Sequence, residues 1–431
     1  MISPVWHPFH QHGLGEPIPQ VVRAEGALLH LADGRTLIDG ISSWWVTTHG
    51  HCHPRIAAAI AEQAGRLDQL IFAGYTHEPA EEVARGLIGL APRSADRDPL
   101  AHVFFSDSGS TAVEVALKMA LGYWHNLALD GLARARHRIL VLEHSYHGDT
   151  IGAMSVGERG VYNQAWQPLL FDVGTIPFPA PGREQATLDA LEAACAAPEK
   201  PAAFIVEPLI LGAGGMLIYP ASVLRGMAAV CARHDVLFVA DEVMTGWGRT
   251  GTLFACEQAG VVPDIMAVAK GITGGTIPLA ATLATGRIFD AHKSTDRSRL
   301  FYHSSSYTAN AIACAAAVAN LAIWREEDVP ARIAKLAQGM AARLAKLADH
   351  PAFAHPRQLG VVAAIDLIAP DAGYLSDLAP RLRAFFQERG ILLRPLGNTI
   401  YLMPPYCLDA DQLDCVFAAL AEAGERFGVR T

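Results

Sequence analysis

The chain has 431 residues, 51% hydrophobic and 18% charged, which is enough for two or three domains around a large core. Its 34 Lys and Arg against 43 Asp and Glu give a net charge of −9 with no long run of either sign, which excludes the basic surface expected of a nucleic-acid binder; the patch Arg134, Arg136, Arg138 reads as a solvated helix end. Seven scattered cysteines without a CxxC pair, an opening MISPVWHPFH without an apolar core, and no apolar stretch longer than 311–324 predict a reduced, cytoplasmic α/β protein with no membrane segment.

Residues 1–20, rich in Pro, His and Gly, read as an irregular arm. LLHLADGRTLIDG (28–40) follows as a two-stranded hairpin turning at Asp33-Gly34. The adjacent Trp44 and Trp45 then lead into a Gly/His/Pro turn, which suggests a loop at a site. The cluster His49, His51, Cys52, His53 has the residue types of a metal site. No second ligand cluster lies elsewhere, so no metal is expected and His53-Pro54 is read as the opening of the next helix.

From there strands alternate with helices, the pattern of a mostly parallel sheet with helices on both faces. A strand at 102–105 runs into Ser106-Asp107-Ser108-Gly109-Ser110-Thr111 and a helix from 112 to 123. Small residues in such a turn let backbone N–H groups approach a phosphate at a helix N-terminus, although the same letters also make an ordinary cap. The strand 138–143 leads to His144-Ser145-Tyr146-His147-Gly148-Asp149-Thr150, and the strand 202–206 ends at Glu207-Pro208. Tyr146 can lay its ring on a flat cofactor.

The most informative stretch is 236–276. The apolar run 236–240 stops on Asp241, and the run 265–269 stops on Lys270. Ends of parallel strands are where ligands bind in such sheets, so an acid and an amine reach one rim. Burial lowers a lysine pKa and makes the amine a nucleophile. An amine for a Schiff base, paired with a carboxylate for a pyridinium nitrogen, is the requirement for pyridoxal phosphate. Residues 279–285 continue the sheet, and 301–310 form a serine-rich loop before an Ala-rich helix at 311–324. Residues 324–350 read as one long amphipathic helix, followed by strands in VVAAIDL, ILLRP and IYLMPPY and a closing helix from about Asp409. The division expected is an arm and hairpin at 1–55, a large domain at 56–324 and a small α+β domain at 325–431.

DEVMTGWGRTG (241–251) with PDIMAVAKGITGG (263–275) resembles the class III aminotransferases, pyridoxal phosphate enzymes of fold type I. The resemblance implies a large domain with a mostly parallel, helix-flanked sheet, a smaller α+β domain, and a homodimer with shared active sites. Within the family, DGISSWWVTTHGH, DSGSTAVEVALKMAL, SYHGDTIGAMSVG, GGTIPLAATLAT and IYLMPPY are similar to the subgroup acting on 8-amino-7-oxononanoate with S-adenosylmethionine as amino donor, in biotin synthesis.

The resemblance assigns Lys270 the Schiff base and the proton shuttle, and Asp241 the pyridine nitrogen. It assigns Ser108, Gly109 and Ser110 the phosphate, Tyr146 and Val243 the two ring faces, and His147 and Glu207 further cofactor contacts. Ser305 and Ser306 would reach the cofactor of the neighbouring subunit, with Ser306 standing where a threonine is usual. Phe9, Trp44, Trp45, Asp149, Arg249, Arg394 and Tyr401 would bind substrates, Arg394 through a carboxylate. Position 304 is placed beside them as a glycine making no contact of its own. Phe9 replaces a usual tyrosine and Leu396 a frequent phenylalanine, so lysine is an alternative donor, as a pyruvate-linked ω-amino acid or diamine transaminase is an alternative activity. A nicotinamide dehydrogenase is disfavoured because no GxGxxG follows a strand.

Overall fold

The computed structural model describes residues 3–370 and 372–429. Its main sheet has seven strands, in spatial order Leu100–Ser106, Ala280–Thr285, Ile265–Val268, Leu237–Asp241, Ala203–Val206, Ile139–Leu142 and Gly174–Ile176. The central segments ILVL, AFIV, LFVAD and IMAV are buried throughout. Successive side chains in a strand point to opposite faces, so these runs must be covered on both sides. Leu140, Phe204, Phe238 and Met266 pack in one cluster with Leu224, Met227 and Ala317 from the helices Ala221–His234 and Ala311–Glu326. Their neighbours Ile139, Ile205, Val239 and Ile265 pack in another, under Val113, Ala116 and Ala120 of the helix Gly109–Leu129.

Of the seven strands, only Ala280–Thr285 opposes the rest. It was expected to continue the sheet, and it does so antiparallel. The chain leaves Val268 and returns from the same rim without a crossover helix, which fixes that direction. Ser106, Glu143, Glu207, Asp241 and Lys270 all follow or end strands that run alike, so they gather at one edge.

The hairpin Leu28–Leu31 and Thr36–Asp39 is extended by a third strand, Val21–Glu25, which the sequence pattern does not mark. On its other side Ile391–Leu392 adds in parallel, with Ile391 opposite Ile38. This ties the N-terminal hairpin to the C-terminal part of the chain, where Phe353–Leu359, Val362–Leu367 and Thr399–Leu402 form a separate antiparallel sheet.

The two helices expected at 311–324 and 324–350 are present as Ala311–Glu326 and Val329–Ala348, with the break between them later than expected. The break is chemical. The Asp328 carboxylate accepts the Ala331 N–H at 3.1 Å, and Pro330 sits in the first turn, where its missing N–H is harmless.

Candidate active site

The rim opens on a cavity of about 400 Å³. Asp241 and Lys270 both line it. The register of the two parallel strands sets Asp241 beside Ala267, and Lys270 follows Val268 by two residues. Lys270 has φ 48°, a left-handed conformation that a lysine adopts only where its surroundings impose it. Its Nζ makes no hydrogen bond to any described residue and stands 5.3 Å from the Trp45 ring centre. Burial lowers the pKa of this amine, although the carboxylates of Asp241 and Glu207 pull it back up.

The Asp241 carboxylate is fully engaged on the protein side. His147 Nδ1 donates to Oδ2 at 2.7 Å and the Val243 N–H donates to Oδ1 at 3.0 Å. The His147 ring is buried and its Nε2 has no partner among the described residues. Glu207, one strand along, accepts the Tyr146 N–H on one oxygen and the Gly212 N–H on the other, each at 3.0 Å. Burial pushes this carboxyl up to about 7, with His147 acting in the opposite direction. Burial and the nearby Asp149 carboxylate hold the Tyr146 phenol well above its usual range.

At the end of the cavity, Ser108 caps the 21-residue helix Gly109–Leu129 in a reciprocal box with Thr111. The Gly109 and Ser110 N–H groups carry no hydrogen bond to any described residue and lie at the positive end of that helix. A Cβ on Gly109 would come 2.6 Å from Val243 Cγ1, so only glycine lets the turn pass under that side chain. An anion held by these N–H groups, a flat ring between Tyr146 and Val243, an acid for a pyridine nitrogen and a free amine together fit pyridoxal phosphate.

The remaining candidates separate by position. Ser108, Gly109, Ser110, Tyr146, His147, Glu207, Val243 and Trp45 line the same cavity as Lys270 and Asp241. Asp149 lines an adjoining cavity of about 190 Å³ that shares the Tyr146–Gly148 wall. Tyr401 stands behind Trp45, its hydroxyl accepting the indole N–H at 2.9 Å. Phe9, Trp44 and Arg394 form an outer group: the Phe9 and Trp44 rings are 5.5 Å apart and the Arg394 guanidinium lies 5.2 Å from the Trp44 ring. Arg394 donates to the Phe9 carbonyl at 3.0 Å and pairs with no carboxylate among the described residues.

Four further positions line neither this cavity nor the adjoining one. Arg249 was expected at the substrate pocket, but it is buried and spent on the backbone, donating to the carbonyls of Pro404 at 3.0 Å and Thr47 at 2.9 Å. Ser306 is exposed, and Ser305 is bonded to the Asp107 carboxylate. The glycine expected at position 304 is corrected outright: the residue is a serine, Ser304, within the run Ser304-Ser305-Ser306. Its side chain is exposed and lines neither cavity, because the loop there runs outside the rim. Sequence reasoning missed Gly275, Thr276, Ile277 and Met244, which also line the cavity. For Gly275 a signal existed: it has φ 88° in a Gly-Gly pair, and a Cβ there would meet the Val46 carbonyl carbon at 2.4 Å.

A doubly covered parallel sheet delivering lysine and aspartate to one phosphate-ready rim defines a pyridoxal phosphate-dependent transferase. The family model "Aminotransferase class-III" matches residues 11–423. The chain belongs to the class III aminotransferases, and its cofactor is pyridoxal phosphate. It is 47% identical to an adenosylmethionine-8-amino-7-oxononanoate aminotransferase of Synechococcus elongatus, over 97% of each chain. Among solved structures it is similar to the enzyme of that name from Methanocaldococcus jannaschii, with a TM-score of 0.91, 32% identity and coverage of 99% of this chain and 98% of that one. It is equally similar in fold to an amine transaminase from an uncultivated Pseudomonas species in its PLP-bound form, with a TM-score of 0.91, 33% identity and 99% of each chain covered.

Proposed function

We propose that this aminotransferase moves the amino group of S-adenosylmethionine onto C7 of 8-amino-7-oxononanoate, giving 7,8-diaminononanoate for biotin synthesis. The reading is carried by Lys270 and Asp241 facing one cavity whose end offers the free N–H groups of Gly109 and Ser110. The near full-length likeness to enzymes of that name supports the substrate.

Bound pyridoxal phosphate supplies the electron sink for chemistry at the substrate Cα. The Lys270 amine, its pKa lowered by burial, would take up the proton leaving the substrate Cα and hold it at Nζ. Asp241, oriented by His147, holds a proton on the pyridine nitrogen. Gly109 and Ser110 would hold the phosphate through their N–H groups, and Tyr146 and Val243 would flank the ring and so orient the substrate. Arg394 takes the carboxylate of the keto acid, with Trp44, Trp45, Phe9, Asp149 and Tyr401 shaping the way to it. Ser305 and Ser306 act across the interface of a homodimer in the cytoplasm. The chain divides into an arm and hairpin at 1–55, a cofactor domain at 56–324 and a small domain at 325–431.

A panel of amino donors against 8-amino-7-oxononanoate, with diaminononanoate measured directly, tests the proposal. S-adenosylmethionine is expected to support formation of the diamine. Diamine from lysine alone would reassign the donor, a change the Phe9 ring packed on Trp44 in place of a phenol would favour. Turnover of pyruvate but not of 8-amino-7-oxononanoate would reject the substrate.

A further inference from the structure

The stretch Thr48-His49-Gly50-His51-Cys52-His53 looks in sequence like a set of metal ligands, and the chemistry above uses none of it. In the fold it touches two strained turns that both line the cavity. The first turn carries Trp44 and Trp45 and has three left-handed non-glycine residues, Ser42 at φ 53°, Ser43 at φ 59° and Trp45 at φ 65°. The second begins at Lys270, φ 48°. Side chains other than glycine avoid this conformation, so each turn needs outside bonds to hold it.

Those bonds lead back to the two histidines. The Asp39 carboxylate is fully buried and accepts the N–H groups of Ile41 at 3.2 Å and Ser43 at 2.6 Å, both in the first turn. Its Oδ2 also accepts His51 Nε2 at 2.8 Å. On the other side, the buried Asn320 donates through Nδ2 to the carbonyls of Gly271 at 3.1 Å and Ile272 at 3.0 Å, the two residues after Lys270. Its Oδ1 accepts His49 Nε2 at 2.8 Å. The Thr48 N–H adds a bond to the Gly274 carbonyl at 3.2 Å. An amide with both ends engaged in this way cannot flip, and a carboxylate with three donors cannot turn.

We propose that residues 48–53 are a positioning clamp, in which His51 acts through Asp39 on the tryptophan turn and His49 acts through Asn320 on the lysine turn. Burial keeps His49 neutral, its pKa lowered to about 3, so the ring donates from Nε2 to Asn320 without carrying charge. The two arms serve different parts of one reaction: the first sets the wall a substrate meets, the second sets where the amine sits. The kinetic part of the proposal rests on the transamination reading above; the conformational part does not.

The test uses the full-length protein loaded with pyridoxal phosphate and two variants. Asp39→Asn turns one accepting oxygen into a donor, and Asn320→Leu keeps the shape of the side chain but removes its hydrogen bonds. Amide hydrogen exchange is followed in peptides covering 39–47 and 269–276, together with KM and kcat. Asp39→Asn is expected to speed exchange in 39–47 only and to raise KM for the keto acid roughly tenfold, with kcat within about twofold. Asn320→Leu is expected to speed exchange in 269–276 only and to lower kcat roughly tenfold with KM nearly unchanged. His51→Ala should reproduce the Asp39→Asn pattern more weakly, and it decides the first arm if that variant does not fold. Wild-type exchange and kinetics in both variants, or the same loosening of both peptides with the same kinetic change, would overturn the clamp. If the wild-type protein does not turn over 8-amino-7-oxononanoate, the substrate reading fails while the exchange patterns still decide the clamp.

Discussion

His147 donates from Nδ1 to Oδ2 of Asp241 over 2.7 Å, and both side chains are closed off from solvent. The bond joins the loop after the strand Ile139–Leu142 to the end of the strand Leu237–Asp241, across the strand between them. It fixes the plane of the carboxylate that meets the cofactor. Asp241→Asn keeps the shape but gives up the charge that holds a pyridinium proton, and kcat/KM is predicted to fall by roughly 10²-fold or more. His147→Ala removes only the orienting donor and should cost about tenfold. Equal losses in the two variants would show that His147 does more than orient.

Glu207 gives a pH signature. Its folded pKa is raised, to about 7 from an ordinary value of 4.5. A raised folded pKa means the group's stabilising contribution is complete below 4.5 and is lost as pH climbs toward 7. Over that window wild type should lose about 3 kcal/mol relative to Glu207→Gln, which does not titrate. Urea denaturation of both proteins at about pH 4.5 and 7.5 checks this, and parallel stabilities at the two pH values would contradict it.

Gly109→Ala places a methyl group 2.6 Å from Val243 Cγ1, a β-branched side chain with little freedom to yield. Overpacking of this kind costs about 1–3 kcal/mol, and here it displaces the N–H groups meant for the phosphate. The dissociation constant for pyridoxal phosphate is predicted to rise roughly tenfold or more, measured by absorbance on titrating the apoprotein.

Arg394 sits half-buried against Trp44 and Phe9, donating to the Phe9 carbonyl and paired with no carboxylate among the described residues. Arg394→Ala is predicted to raise KM for the keto acid by about 10–100-fold with little change in kcat, because the interaction is made equally in the ground and transition states. A fall in kcat at constant KM would place the guanidinium nearer the reacting carbon.

The parts of this site that could be read from the sequence are those where one strand carries one reactive residue at its end. Asp241, Lys270, Glu207 and the Ser108–Ser110 turn were legible because a buried apolar run leaves no other place for a polar group than the rim. The direction of Ala280–Thr285 was not legible, since its apolar pattern is the same in either orientation. The break between the helices was legible, but its place at Asp328 rather than at Trp324 was not, because helical spacing continues through 324–326. The partners of Arg249 were not legible, because they are carbonyls distant in sequence, at Thr47 and Pro404. Asp39 and Asn320 were silent for the same reason: each acts on a turn that only the fold brings next to it.

The most direct measurement is to load the protein with pyridoxal phosphate, reduce it with borohydride, digest it and locate the pyridoxyl mass by peptide sequencing. The tag is predicted on Lys270 alone, and Lys270→Ala should lose the tag, the visible absorbance of the loaded enzyme and turnover together. A tag on another lysine, or normal turnover by the variant, would contradict the account.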